Sequence, residues 1–173
     1  MRVIVILSLL GFGTLVYAGD AAVADLLFGN FKDQLGTGEQ VEIARQSGFI
    51  AGEDGKTLLE PVCGLPVSFE TSVEDLNHDG IPEVFVVAGN TCLSGATGSS
   101  VWLFIKNEAG VYLAHLGFPA GAYEALDSQN AGFPDLKFGG PGFCRAVWRW
   151  NGKDYEHLRN EPDEPGGCDY VHK

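Results

Sequence analysis

Residues Asp75 to Glu83 read Asp-Leu-Asn-His-Asp-Gly-Ile-Pro-Glu and run directly into Val84-Phe85-Val86-Val87. No other stretch limits the fold as tightly. Asp75, Asn77 and Asp79 put side-chain oxygens at positions 1, 3 and 5 of a loop. Gly80 at position 6 permits a sharp turn, because it lacks the Cβ that penalises a positive φ. Ile81 offers a backbone carbonyl, and Glu83 ligates directly or through water. This hard, all-oxygen donor set is what calcium takes. A helix–loop–helix calcium hand needs a bidentate Glu at position 12, where this chain has Val86. Pro82 also opposes a helix starting there. The loop therefore feeds a strand, and one calcium ion is the expected cofactor.

Strand signals dominate the chain on both sides of the loop. Val67 to Val73 alternates apolar and polar, and Val84 to Val87 is a short apolar run. Val101–Ile105 and Val111–Leu116 flank the polar turn Lys106–Gly110 and read as a hairpin. Ala146–Trp150 and Lys153–Leu158 flank Asn151-Gly152, the strongest short hairpin turn signal. Ahead of these, Val23, Leu26, Leu27 and Phe31 recur at helical spacing, which predicts one amphipathic helix over Ala21–Leu35, ended by Gly36. Strand character is expected around Val41–Ala44 and Phe49–Ala51, and a loop over Glu161–Gly167.

The motif has a second, weaker copy. Asp127-Ser-Gln-Asn-Ala-Gly-Phe-Pro-Asp-Leu136 aligns with Asp75–Val84 at an offset of 52, and Cys92 and Cys144 share that offset. A Trp/Tyr hairpin follows each copy, Trp102 with Tyr112 and Trp148 with Tyr155. Two related strand-loop-strand-hairpin modules, at about 67–116 and 120–158, are thus expected in one mainly β, antiparallel domain spanning 19–173. Gln129 and Ala131 replace the ligands Asn77 and Asp79, so the second copy is expected to be a turn without metal.

Asp-Leu-Asn-x-Asp-Gly-Ile-Pro-Glu followed by apolar residues resembles the calcium loops of FG-GAP and VCBS-type repeats. The resemblance is strong over 73–88 and weak over 127–138. It implies a calcium loop between two strands, as in propeller blades, although two units cannot close a propeller.

Arg2, the apolar run Val3–Val16 and the small-residue pattern Val16-Tyr17-Ala18 form a secretory signal peptide, residues 1–18, with cleavage expected after Ala18. Export to the periplasm or outside the cell makes the four cysteines, Cys63, Cys92, Cys144 and Cys168, two expected disulfides. Their pairing stays open among three choices. Lys plus Arg is 11 against 23 Asp plus Glu, and losing Arg2 leaves 10 against 23, a charge of −13. Nucleic acid, which needs clustered Lys and Arg, is excluded as a partner, and no stretch after the leader suits membrane insertion. A basic exported protein is the partner this field would steer inward.

The histidines His78, His115, His157 and His172 sit in no catalytic spacing, and no nucleophile elbow is present. An enzyme is therefore not expected. The Gly-rich segment 89–100 reads as a contact loop, with Asn90, Thr91, Leu93, Ser94, Thr97 and Ser99 as candidate partner-binding residues and calcium expected to hold it in place. Size, acidity and staples resemble periplasmic inhibitor and immunity proteins that act on lysozyme-like, cell-wall-degrading enzymes. The Ser-Gly-x-x-Tyr motif of some lysozyme inhibitors is not matched, since Ser94-Gly95 is followed by Gly98 where Tyr would stand. An exported hydrolase with a structural calcium, or an adhesive calcium module, is the alternative.

Overall fold

The computed structural model describes residues 18–169. The expected leader, apart from Ala18, lies outside them, as does His172. No helix among the described residues is long and apolar enough to cross a membrane.

The chain begins with two helices rather than the one expected. Helix α1 (Ala18–Phe28) buries Val23, Ala24, Leu27 and Phe28. It stops well short of Leu35, giving way at Gly29-Asn30 to tight turns in which the Phe31 N–H bonds the Phe28 carbonyl. Helix α2 (Thr37–Ser47) occupies the stretch in which Val41–Ala44 reads locally as strand. Burial of Gln40, Ile43 and Ala44 on one face overrides that β-branched pair. The Glu39 carboxylate accepts the Gly36 N–H at 2.8 Å and fixes the start, while Gly48, at φ 74°, ends it. A two-strand ribbon, β1 (Ile50–Ala51) with β2 (Leu58–Leu59), comes next.

The rest is two four-stranded antiparallel meanders. The first has the order β3 (Ser68–Glu74), β4 (Glu83–Gly89), β5 (Ser100–Lys106), β6 (Tyr112–Pro119). The second runs β7 (Ala122–Asn130), β8 (Phe133–Gly139), β9 (Cys144–Trp150), β10 (Tyr155–Pro162). Two boundaries differ from expectation. Strand β10 continues through Glu161 and Pro162, and Asp127–Asn130 belong to β7, leaving only Ala131-Gly132 as the turn.

The two sheets are built in the same register. Val73 faces Val84 and Val84 faces Phe104 in the first, as Ala125 faces Leu136 and Leu136 faces Trp148 in the second. Each last hairpin carries one bulged residue at the same place, His115 between Phe104–Ala114 and Leu103–Leu116, and Leu158 between Trp148–His157 and Val147–Arg159. The Tyr112 hydroxyl donates to the Pro82 carbonyl and the Tyr155 hydroxyl to the Pro134 carbonyl, both at 2.8 Å. This register also corrects one alignment: the counterpart of Cys144 is Ser100, not Cys92, because the β8–β9 connection is shorter than β4–β5.

Side-chain alternation along the strands produces three layers. Val84, Val86, Ala88 and Phe104 pack against the helices. The opposite face of the same sheet, with Phe85, Val101, Leu103 and Ile105, packs against Leu136, Phe138 and Trp150 of the second sheet. On the outer face of the second sheet, the positions of Phe85, Val101 and Ile105 are taken by Lys137, Arg145 and Arg149. These are paired with Glu124, Asp163 and Asp135. A charged outer face ends the stacking at two sheets, as capping units do in repeat proteins.

Candidate functional site

The loop between β3 and β4 is closed by its own acidic side chains. Asp75 Oδ1 accepts the Asp79 N–H at 3.1 Å and Asp75 Oδ2 the Gly80 N–H at 2.9 Å. Asn77 Oδ1 also accepts the Asp79 N–H, at 3.0 Å, and Asp79 Oδ1 accepts the Ile81 N–H at 2.7 Å. His78 and Gly80 have φ of 60° and 86°, so the tightness of the turn is met at two positions, one without a glycine. His78 is exposed, and its side chain is no part of the oxygen set.

Glu83 lies beneath this loop at 1% exposure, one Oε accepting the Leu76 N–H at 2.9 Å. Burial pushes its carboxyl up to about 7, and the neighbouring Asp79 and Asp75 charges add to that rise against the Leu76 bond. No ion pair reaches it among the described residues. Its counterpart in the second sheet, Asp135, is buried as completely, at 0%. There the charge is answered: Arg149 donates to both carboxylate oxygens at 2.8 and 2.7 Å, Ser128 donates at 2.6 Å, and Arg159 stands 3.8 Å away. The Arg149 hydrogen bond holds the Asp135 carboxyl below the usual carboxylate range despite its burial.

The donor chemistry of the first loop suits calcium: two Asp, an Asn, the Ile81 carbonyl and a buried Glu without a cation. The carboxylates of Asp75, Asp79 and Glu83 do not close on one point. Among the described residues, only Glu60, Cys63 and Cys92 bring three such ligand atoms within 4.8 Å of one another, and there the two sulfurs are bonded together. Each Asp75 and Asp79 oxygen that takes a backbone N–H keeps a second lone pair for an ion.

Searches among protein families, characterised proteins and solved structures give no match to this chain.

The disulfides are Cys63–Cys92 and Cys144–Cys168, with Cα separations of 6.6 and 4.8 Å, and they suit an oxidising compartment outside the cytoplasm. Buried Glu60, which no sequence motif marks, shapes the first one. Its carboxylate takes the Val62 and Cys63 N–H groups at 2.8 and 2.7 Å and closes the turn that presents Cys63.

The segment 89–100 is not a free contact loop. It forms a short helix, α3 (Thr91–Ser94), and a 3-10 turn over Gly95–Thr97. The Asn90 side chain caps the Cys92 and Leu93 N–H groups and donates to the Pro66 carbonyl at 3.1 Å. Leu93 packs on the helix-side core, Ser94 is buried against the Ser100 hydroxyl at 2.8 Å, and Ser99 donates to the Ala120 carbonyl. Four of the six candidate partner-binding side chains are thus occupied in the fold, which leaves Thr91 and Thr97. The β3–β4 loop and this segment sit at opposite ends of β4, so the loop makes no direct hold on Asn90–Ser99.

The β3–β4 loop instead walls a cleft lined by residues of both sheets. Asn77, Asp79, Ile81 and Glu83 line it on one side, and His115, Trp150 and Asp154 on the other. His115 Nδ1 lies 3.0 Å from Asp154 Oδ1, and its ring meets Trp150 edge-on at 5.2 Å. Sequence order gave no sign of this meeting, because His115 lies on β6 of the first sheet and Asp154 in the β9–β10 turn of the second.

Proposed function

We propose that this chain is an exported, calcium-stapled binding protein for a basic partner, acting as an inhibitor or immunity protein toward a cell-wall-degrading, lysozyme-like enzyme. One observation carries the calcium reading. The same buried carboxylate position is neutralised by Arg149 in the second sheet and meets no Lys or Arg among the described residues of the first, where the Asp75 and Asp79 charges act on it instead. A carboxyl pushed up to about 7 by burial and two neighbouring carboxylates is ionised more readily beside a cation, which supports calcium at Glu83. The two sheets are, in this reading, copies of one blade-like module, of which only the first keeps its metal.

Calcium here is structural. It ties the β3–β4 connection to the buried end of β4 and so fixes one wall of the intersheet cleft. The net charge of −12 supports a basic partner, because that field raises the encounter rate with a cationic protein. Two disulfides support export, with the leader cleaved after Ala18. Affinity capture from periplasm and culture fluid tests the reading. Recovery of a basic cell-wall hydrolase, lost on adding chelator, supports it. Hydrolysis of cell wall by the protein itself, with nothing recovered, contradicts it. That outcome would select the second reading, an exported hydrolase with a structural calcium, which is favoured by the His115–Asp154 pair facing the cleft.

A further inference from the structure

The intersheet cleft has a volume of about 570 Å³. Ile105, Phe133 and Trp150 form a nearly buried apolar floor, while Ile81 and Leu113, 41% and 43% exposed, stand beside it as apolar walls. Its charges are unevenly committed. Lys106 is held by Glu39 at 2.6 Å. Asp154, 52% exposed at its side chain, gives one oxygen to His115. Glu108 and Lys153 have no ion-pair partner among the described residues. Setting aside Asp79 and Glu83, which the reading above gives to the metal, the cleft keeps two carboxylates, Glu108 and Asp154, against the ammonium of Lys153.

We infer that this cleft seats a cationic side chain, an arginine or lysine of the partner, with Asp154 and Glu108 receiving its charge and Leu113 and Ile81 covering its aliphatic stem. The inference rests on the reading above that the partner is basic, and it places the contact at the cleft instead of the 89–100 segment. Long basic side chains combine an apolar stem with a charged head, and this cleft offers a surface for each. Arginine is also enriched among the anchors that dominate interface energetics. A second cleft, of about 540 Å³ beside Ala96 and Thr97, lacks the same provision. Its charges are already joined, Lys137 to Glu124 at 2.7 Å and Arg145 to Asp163.

Titration of the 15N-labelled mature protein with N-acetyl-arginine amide, at saturating calcium, tests this by NMR. Saturation keeps the guanidinium off the loop's own carboxylates. Shifts are expected at Leu113, His115, Asp154 and the Trp150 indole, and none at Thr97 or Gly140. N-acetyl-norleucine amide, the uncharged control, should give none of them. E108Q and D154N should each weaken binding about two- to fivefold, and K153Q should strengthen it by a similar factor, the range of a partly exposed charge pair. Shifts centred on Thr97 and Gly140, or equal binding by all three variants, would overturn the inference. Calcium's own response is read separately at Gly80 and Ile81. Its absence contradicts the metal reading, whereas a calcium response with a cleft silent to arginine contradicts this inference alone.

Discussion

Arg149 reaches across the second sheet to chelate the buried carboxylate of Asp135, with its Nε and one Nη at 2.8 and 2.7 Å from the two oxygens. The pair shows what the first sheet lacks at Glu83, and its energetics are open to direct measurement. Arg149→Met should destabilise the protein in urea unfolding, by less than the loss of a fully buried pair, because Arg149 is partly exposed and Arg159 remains nearby. The deficit should narrow on acidification. Asp135 ionises below the usual carboxylate range when Arg149 is present, so its stabilisation is complete above the unfolded value near ~3.9 and is lost as the pH falls through the lower native value. A deficit that stays constant from neutral pH to below ~3 would assign the effect to packing instead.

Tyr112 and Tyr155 hold the carbonyls of Pro82, just ahead of β4, and Pro134, near the start of β8. Tyr112→Phe and Tyr155→Phe should each cost about 0.5–1.5 kcal/mol, the net worth of one hydrogen bond. Similar losses, measured by the same unfolding assay, are the signature of two modules built alike. A loss at one site only would break the correspondence.

The disulfides close loops of 29 and 24 residues of sequence separation. Replacing both cysteines of either pair by serine should lower stability by roughly 2–4 kcal/mol. Peptide mapping of the unreduced protein should recover the 63–92 and 144–168 links. A 92–144 link would contradict the fold, since Cys92 lies in the β4–β5 connection and Cys144 opens β9.

Calcium removal should act at one end of β4. Hydrogen exchange of the Asp79, Gly80 and Ile81 amides should change on adding chelator, while the capped Cys92 and Leu93 amides, held by Asn90, should not. Equal responses at both ends would restore a link between the metal and the 89–100 segment.

The strands and the loop were legible because their signals are local. Asn151-Gly152 between two alternating runs needs no tertiary information, and Pro82 with Val86 excluded a helical hand. The second helix was not legible, because Val41 and Ile43 favour strand until burial on the α1 side selects the helical face. Asn90 carries a signal that outweighs the glycines around it: an Asn ahead of a short polar run is a helix N-cap, which turns an apparent loop into an anchored one. The Asp135–Arg149 pair depends on the β8–β9 register and the His115–Asp154 meeting on how the two sheets stack, and no spacing in the chain encodes either directly. The Cys92–Cys144 offset shows the converse, since a matching interval in sequence proved not to be a matching place in the fold.

Isothermal titration of calcium into the mature, chelator-treated protein tests the central claim most directly. One binding event per chain is predicted, lost in Asp79→Ala and Glu83→Gln and unchanged in Asp127→Asn, whose side chain is exposed on β7. Two equal events, or no event in protein shown to be folded, would contradict it.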